Sequence, residues 1–438
     1  MSMNFLAEYE SKKCSPEQAI SMIKSEDVVY TGGEPNALLE ALYNARENFD
    51  GLLLCSMFGI MGPQGENINS TDMIGHINLS ATVLPFNTPM VLTQENRDQV
   101  PAHFSEMEDI VVKRYKPTYL LTHVSPMDEY GYLYMGTQAG CGRAAVDCGA
   151  KVIVQVNENM PTIFTDYYKI HISEVTAICE ATTPLDRPNA RVVIPQEIDK
   201  TIAGFVAERI PNGATIQLGA GAVPNIVGTF LDNHKDLGIH SEVFLESMKG
   251  LMEKGAVNNS KKNLMPGVSV SGFLNGPQEV RDFAHKNPNM MFKKLAWVND
   301  CNIISQIDNI MSVNSCFGVD LRGQVCSDSL GLGNTGGIGG QLDFVRGARK
   351  ANGGKSFIVM RSSLESKSGE KISKITMSLP EGSVVSTPRH DVMYVVTEYG
   401  VADLHYKSVK ESAEALIAIA HPDFREELTF EAKKYGYL

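Results

Sequence analysis

The chain has 438 residues, 43% of them hydrophobic and 21% charged, which is the balance of a soluble globular protein and too long for one typical core. A formal net charge of −12 excludes a broad nucleic-acid surface, because phosphate backbones need clustered Lys and Arg; a local basic pocket for one anion stays open. No apolar run is long enough to cross a bilayer, and the opening MSMNFLAEYESKK lacks the apolar stretch of a signal peptide. The cysteines at 14, 55, 141, 148, 179, 301, 316 and 326 form no CxxC pair, so reduced thiols in a cytoplasmic protein are expected, not a zinc or disulfide framework.

In chain order, Ser15 reads as an N-cap, with Pro16 at the first helical position of a helix over Pro16–Ser25. Strands are expected at Asp27–Tyr30, Leu52–Met57, Thr118–Val124 and Lys151–Val156, with a helix over Pro35–Ala45 between the first two. The proline-containing polar segment ATTPLDRPNA reads as a linker. A new start follows: ARVVIP is strand-like, and Gln196–Ile210 has apolar residues at helical spacing. Next comes ATIQLGAGAVPNIVGTFLDN, which parallels EDVVYTGGEPNALLEALYN near the amino terminus. Both run strand, glycine-containing loop, Pro-Asn, amphipathic helix. The expected architecture is therefore two tandem, similar α/β domains with mainly parallel sheets, 1–188 and 189–438.

Four strings carry candidate chemistry. GIHSEVF (238–244) puts Glu242 at or just past a strand end, where open α/β sheets place ligands. From spacing alone it competes with a solvated strand-end glutamate, and with Glu246 and Glu398. His240 reads as a residue that caps a backbone group. No cluster of His, Asp or Cys at ligand spacing lies beside Glu242, so a metal is not expected. QLGAGAVPNIVG (217–228) is a strand running through a small-residue turn into a helix; its N–H groups could hold a phosphate or an oxyanion. The glycine-dense GGIGGQLDFVRGA (336–348) reads as a loop lying against a ligand or closing over one, with Asp343 capping the following helix. VVTEYGVADL (395–404) places Glu398 at another strand end.

Together with VDLRGQVCSDS, KISKIT, AIAHPDFREEL and, further back, VSPMDEYGYLYMG and KVIVQVNENMP, these strings make the chain resemble the acetyl-CoA hydrolase/transferase family of class I CoA-transferases. It is similar to the 4-hydroxybutyrate and butyryl-CoA:acetate branch. The resemblance covers nearly the whole chain and is stronger after residue 190. It implies an active site at the interface of two α/β domains and a homodimer or larger assembly. On it, the glutamate of GIHSE, here Glu242, is the nucleophile. Gly219, Ala220, Gly221, Ala222 and Val223 fall on a CoA-contacting loop, and Phe317 and Gly340 on further CoA-contacting positions. The chain departs from the family after the nucleophile, where Glu246 and Ser247 stand in place of Asp and Gly.

The chemistry expected is transfer of CoA from a short-chain acyl-CoA to a free carboxylic acid by a ping-pong route through a glutamyl-CoA thioester. Backbone N–H groups of Gly219–Val223 are the candidate oxyanion hole, Gly336–Gly340 the water-excluding wall, and the Lys and Arg between Arg346 and Lys374 the phosphate-compensating patch. CoA is a substrate here, and no permanently bound cofactor is expected. Two other readings remain at this level. One is an acyl-CoA hydrolase on the same fold; the other is an NAD-dependent oxidoreductase built on GAGAVP, with Glu242 near the distance expected of a ribose-binding acid.

Overall fold

In a computed structural model the described residues are 5–84, 95–185, 195–366 and 368–438. The chain forms two units. One is Met1–Arg191 with Gly272–Ala296, and the other is Val192–Ser271 with Trp297–Leu438. The expected boundary at 188/189 and the ARVVIP strand lie outside the described residues. The excursion of Gly272–Ala296 into the first unit is a feature that a contiguous division does not contain.

The first unit is a seven-stranded sheet built from β1 (Val28–Gly32), β2 (Leu52–Phe58), β3 (Ile77–Val83), β4 (Arg97–Gln99), β5 (Tyr119–Val124), β6 (Lys151–Val156) and β7 (Val175–Glu180). They run in the order β4-β3-β2-β1-β5-β6-β7, and every pairing is parallel. Strands covered on both faces should read as unbroken apolar runs, and β5 is buried at every position. Helix α1 (Pro16–Ile20) begins on the expected cap: Ser15 Oγ accepts from Gln18 N–H, and Gln18 Oε1 accepts from Ser15 N–H. The helix is shorter than its spacing suggests, because after Ile20 the chain tightens into three-residue turns at Met22 and Ile23. Helix α2 (Asn36–Asn44) lies within the expected span and buries Leu38, Leu39 and Leu42 against β1 and β2 residues. Each such side chain contributes roughly 1.5–3 kcal/mol.

The second unit starts with α3 (Glu197–Ala207). It continues through β8 (Thr215–Leu218), α4 (Ala222–Thr229), β9 (Gly238–Phe244), α5 (Glu246–Glu253), β10 (Ile310–Ser315), α6 (Gln341–Lys350), β11 (Lys355–Val359), β12 (Tyr394–Thr397) and β13 (Gly400–Asp403). These strands are part of an eight-stranded sheet, in which β9-β8-β10-β11-β12-β13 are consecutive neighbours. Their pairings are parallel except for the last hairpin, where Thr397 pairs with Gly400. The two glycine loops noticed in the sequence thus occupy equivalent places: β1 and β8 each lie between their sequence successor and a later strand. Such a reversal leaves a crevice beyond the carboxyl ends of the strands, where open α/β sheets bind ligands.

Candidate active site

β9 carries the site. All seven of its residues are buried, and strand alternation puts His240 and Glu242 on one face. That face meets α6. His240 packs against Trp297 and Phe344, with ring centroids 5.6 and 6.1 Å away, and its Nε2 lies 2.9 Å from the Val298 carbonyl oxygen. A carbonyl only accepts, so Nε2 carries the proton. Burial, with Lys262 nearby, holds the His240 pKa down at about 3. It is a neutral structural imidazole that binds a backbone group, as expected. Lys262 lies under the same strand, its Nζ donating to Ile239 O (2.9 Å) and Val268 O (2.6 Å), and burial pulls its pKa down to about 7.

Glu242 lies inside β9, two residues before its end, and not at or past the end as the sequence suggested; it is 8% exposed. Burial pushes its pKa up to about 7. The Asn299 amide and the Gly340 N–H oppose that rise, and the Asp343 carboxylate adds to it. Asn299 Nδ2 donates to Glu242 Oε2 at 3.2 Å. Gly340, the residue before α6, is where a side chain cannot be accommodated. A Cβ there would collide with both Glu242 Oε2 and Asn299 Nδ2. Gly340, not Asp343, is the N-cap of α6, which corrects the sequence expectation: Asp343 lies at the third helical position. Gly340 offers no side-chain cap to this helix. The carboxylate of Glu242, reaching from β9, accepts the Gly340 N–H instead, at the end of the helix that favours negative charge.

The glycine loop follows β8. The register pairs Ile216 with Ile239 and Leu218 with Val313. Continued by three rows on the β9 side and by one on the β10 side, it sets Gly219 level with Glu242 and with Asn314. The contact agrees, since a Cβ on Gly219 would strike Asn314 Oδ1. Gly221 has φ 137°, a conformation suited to glycine, and a Cβ there would come 2.9 Å from Ser315 Oγ. Gly219 donates its N–H to Val313 O at 2.8 Å. It is therefore spent as an oxyanion donor, and only Ala220, Gly221, Ala222 and Val223 remain for that role. Behind the loop, Gln217, Ser312 and Asn314 form a buried polar network. Ser312 Oγ donates to Gln217 Oε1 (2.6 Å), Asn314 Nδ2 to Gln217 Oε1 (3.1 Å), and Gln217 Nε2 to Asn314 Oδ1 (3.0 Å).

Phe317 is two residues past β10, partly buried, with its N–H on Cys326 O. The rival carboxylates are placed elsewhere. Glu246 is exposed at the first position of α5. Glu398 accepts from Ser362 N (2.9 Å) and Ser362 Oγ (2.6 Å) and joins two turns. Sequence reasoning missed Asn299. It lies 57 residues from Glu242 in a string, WVND, that carries no chemical signature. Among the described residues no group of three or more His, Cys, Asp or Glu is placed to hold a metal ion, and no helix is long and apolar enough to cross a membrane.

Comparison with known proteins fixes the class. A 4-hydroxybutyrate coenzyme A transferase of Clostridium kluyveri is 39% identical over 97% of this chain and 98% of its own length. A butyryl-CoA:acetate CoA-transferase of Anaerostipes caccae is 32% identical over 99% and 98%. RipA from Yersinia pestis, a solved structure, matches with a TM-score of 0.91 and 33% identity over the whole of both chains. The chain is an enzyme of the CoA-transferase class. More particularly, it belongs to the acetyl-CoA hydrolase/transferase family, whose N-terminal domain matches residues 1–185 and C-terminal domain residues 276–432.

Proposed function

We propose that the enzyme moves CoA from a short-chain acyl-CoA to a free carboxylate in two half-reactions, with Glu242 as the covalent carrier. The observation that carries this reading is a buried carboxylate braced by two neutral donors, Asn299 Nδ2 and Gly340 N–H. Ionised Glu242 attacks the thioester carbonyl. The C–S bond breaks, CoA leaves as thiolate, and an acyl–glutamyl anhydride remains. The thiolate then attacks the glutamyl carbonyl and the acyl group departs as carboxylate, leaving CoA on Glu242. The acceptor acid reverses the sequence. Negative charge builds on a carbonyl oxygen in each step, and the N–H groups from Ala220 to Val223 are the donors we assign to it. One such donor supplies about 3 kcal/mol.

The relatives' names support acetate, butyrate and 4-hydroxybutyrate as the first acids to try. Eight unbridged cysteines support a reducing, cytoplasmic setting. Incubation with butyryl-CoA, borohydride trapping and peptide mass spectrometry should mark Glu242, and Glu242→Ala should abolish the mark. If the wild-type protein exchanges CoA but the trapped residue is never 242, this reading fails. The family description also covers hydrolysis, in which water takes the place of the acid. Adding acetate to butyryl-CoA separates the two: acetyl-CoA accumulates in one case, and only free CoA in the other.

A further inference from the structure

The reading of Glu242 as carrier raises the question of what keeps Gly340 against it. We infer that Gln341 is the positioning residue of this site, a side-chain amide that locks the start of α6 to the loops around the nucleophile. The inference rests on the function proposed above and extends it to a residue that does not touch Glu242. Gln341 is 7% exposed. Its Nε2 donates to Ser315 O at 2.8 Å. Its Oε1 accepts from Ser327 Oγ at 2.8 Å and from Thr387 Oγ1 at 3.1 Å. The carbonyl partner fixes which end of the amide is nitrogen, so the orientation has no alternative.

Each partner comes from a different stretch of the chain. Ser315 ends β10, and its hydroxyl oxygen lies where a Cβ on Gly221 would touch it. Ser327 and Thr387 come from two loops that meet at Val325, where Thr387 N–H bonds to Val325 O at 3.2 Å. The backbone of Gln341 is joined directly to Gly340, whose N–H and bare Cα face Glu242. One amide therefore ties the end of β10 and the Ser327 and Thr387 loops to the helix start in a fixed spacing. A site whose reacting geometry tolerates shifts of well under 1 Å needs such support from residues outside it. Loosening it would let Gly340 retreat from the carboxylate and would weaken the bond that favours its ionised form.

The test uses the full-length enzyme and two near-isosteric variants, Gln341→Met and Gln341→Glu. The first deletes all three bonds. The second keeps the acceptor but sets an oxygen against Ser315 O. Expected are a drop in kcat of at least tenfold, a KM for butyryl-CoA within about twofold of wild type, and a shift to higher pH of the limb on which the rate falls as Glu242 gains its proton. A purely structural role would lower the melting temperature and the yield of active enzyme, and would leave that limb in place. Should Gln341→Met not fold, Ser327→Ala and Thr387→Val each remove one arm and are expected to cost several-fold in kcat. Unchanged kcat and an unmoved limb in the folded variants overturn the inference. Wild-type trapping at Glu242 is the separate control: its failure removes the carrier, while its success with wild-type rates in the variants removes only the role of Gln341.

Discussion

A carboxylate with no water around it resists ionising, yet a nucleophile must be ionised. Glu242 meets this conflict with dipoles: the Asn299 amide, the Gly340 N–H and the start of α6. The compromise is a pKa of about 7. Since the charged form attacks, the first half-reaction should slow as pH falls through about 7, readable as the rate of glutamyl-CoA formation between pH 5.5 and 8.5. Stability runs the other way. The folded pKa lies above the ordinary 4.5, so the folded state holds its proton longer than the unfolded chain does, and stability is lost as pH climbs from 4.5 to about 7. Replacing the charge by Glu242→Gln should therefore stabilise the protein at pH 8, by up to about 3 kcal/mol, and make little difference at pH 4. Denaturant melts at the two pH values check it; equal effects at both would contradict the burial argument. Gly340→Ala tests the same spot sterically. Its Cβ must displace Glu242 or Asn299, so CoA exchange should fall at least a hundredfold while circular dichroism stays native.

Elements are held to each other by fewer, stronger ties. Arg361, just past β11, grips Asp199 of α3 with Nε–Oδ1 at 2.8 Å and Nη2–Oδ2 at 2.7 Å. Asp199 is 1% exposed and also accepts from Gln196 N–H, closing the helix cap. The guanidinium and that N–H hold its pKa below the ordinary value, against the pull of burial. Taking the arginine away strands a buried charge, so Arg361→Ala should cost roughly 3–5 kcal/mol in denaturant unfolding. Arg361→Lys should recover part of it, lacking the planar fork. A loss under 1 kcal/mol would show that the pair is solvated. At this scale the sequence was informative where local chemistry decides. Ser15, Pro16 and Gln18 announce α1, and the repeated loop–Pro-Asn–helix pattern announces β1–α2 and β8–α4. It was silent where the partner is distant: nothing near Asn299 points to Glu242, and nothing near Gly340 reveals that a carboxylate from another strand meets the start of α6. Glu242 itself was legible as one of three candidate glutamates, though it lies inside β9 and not at its end. Its burial, which separates it from Glu246 and Glu398, is a property of the assembled sheet.

At the scale of the whole chain the first unit is discontinuous. Gly272–Ala296 belongs with residues far earlier. Phe292 N–H bonds to Phe164 O at 2.8 Å and Lys286 N–H to Thr162 O at 2.7 Å, and Val280, Ala284, Met290 and Phe292 are buried there. A fragment covering 195–438, the piece a single cut in the linker would yield, carries this apolar segment without part of its surroundings. It should express as aggregate, bind a hydrophobic dye such as ANS, and be rescued by co-expression with 1–185; a soluble, dye-silent fragment would refute this. Evolution and engineering inherit the same arrangement. Anyone exchanging the amino-terminal half between two relatives at one junction would leave twenty-five residues of the donor's lodger behind, matched to a host that is gone. A working chimera needs two crossovers on the carboxyl side as well as one at the linker, and the second of them falls three residues before Asn299.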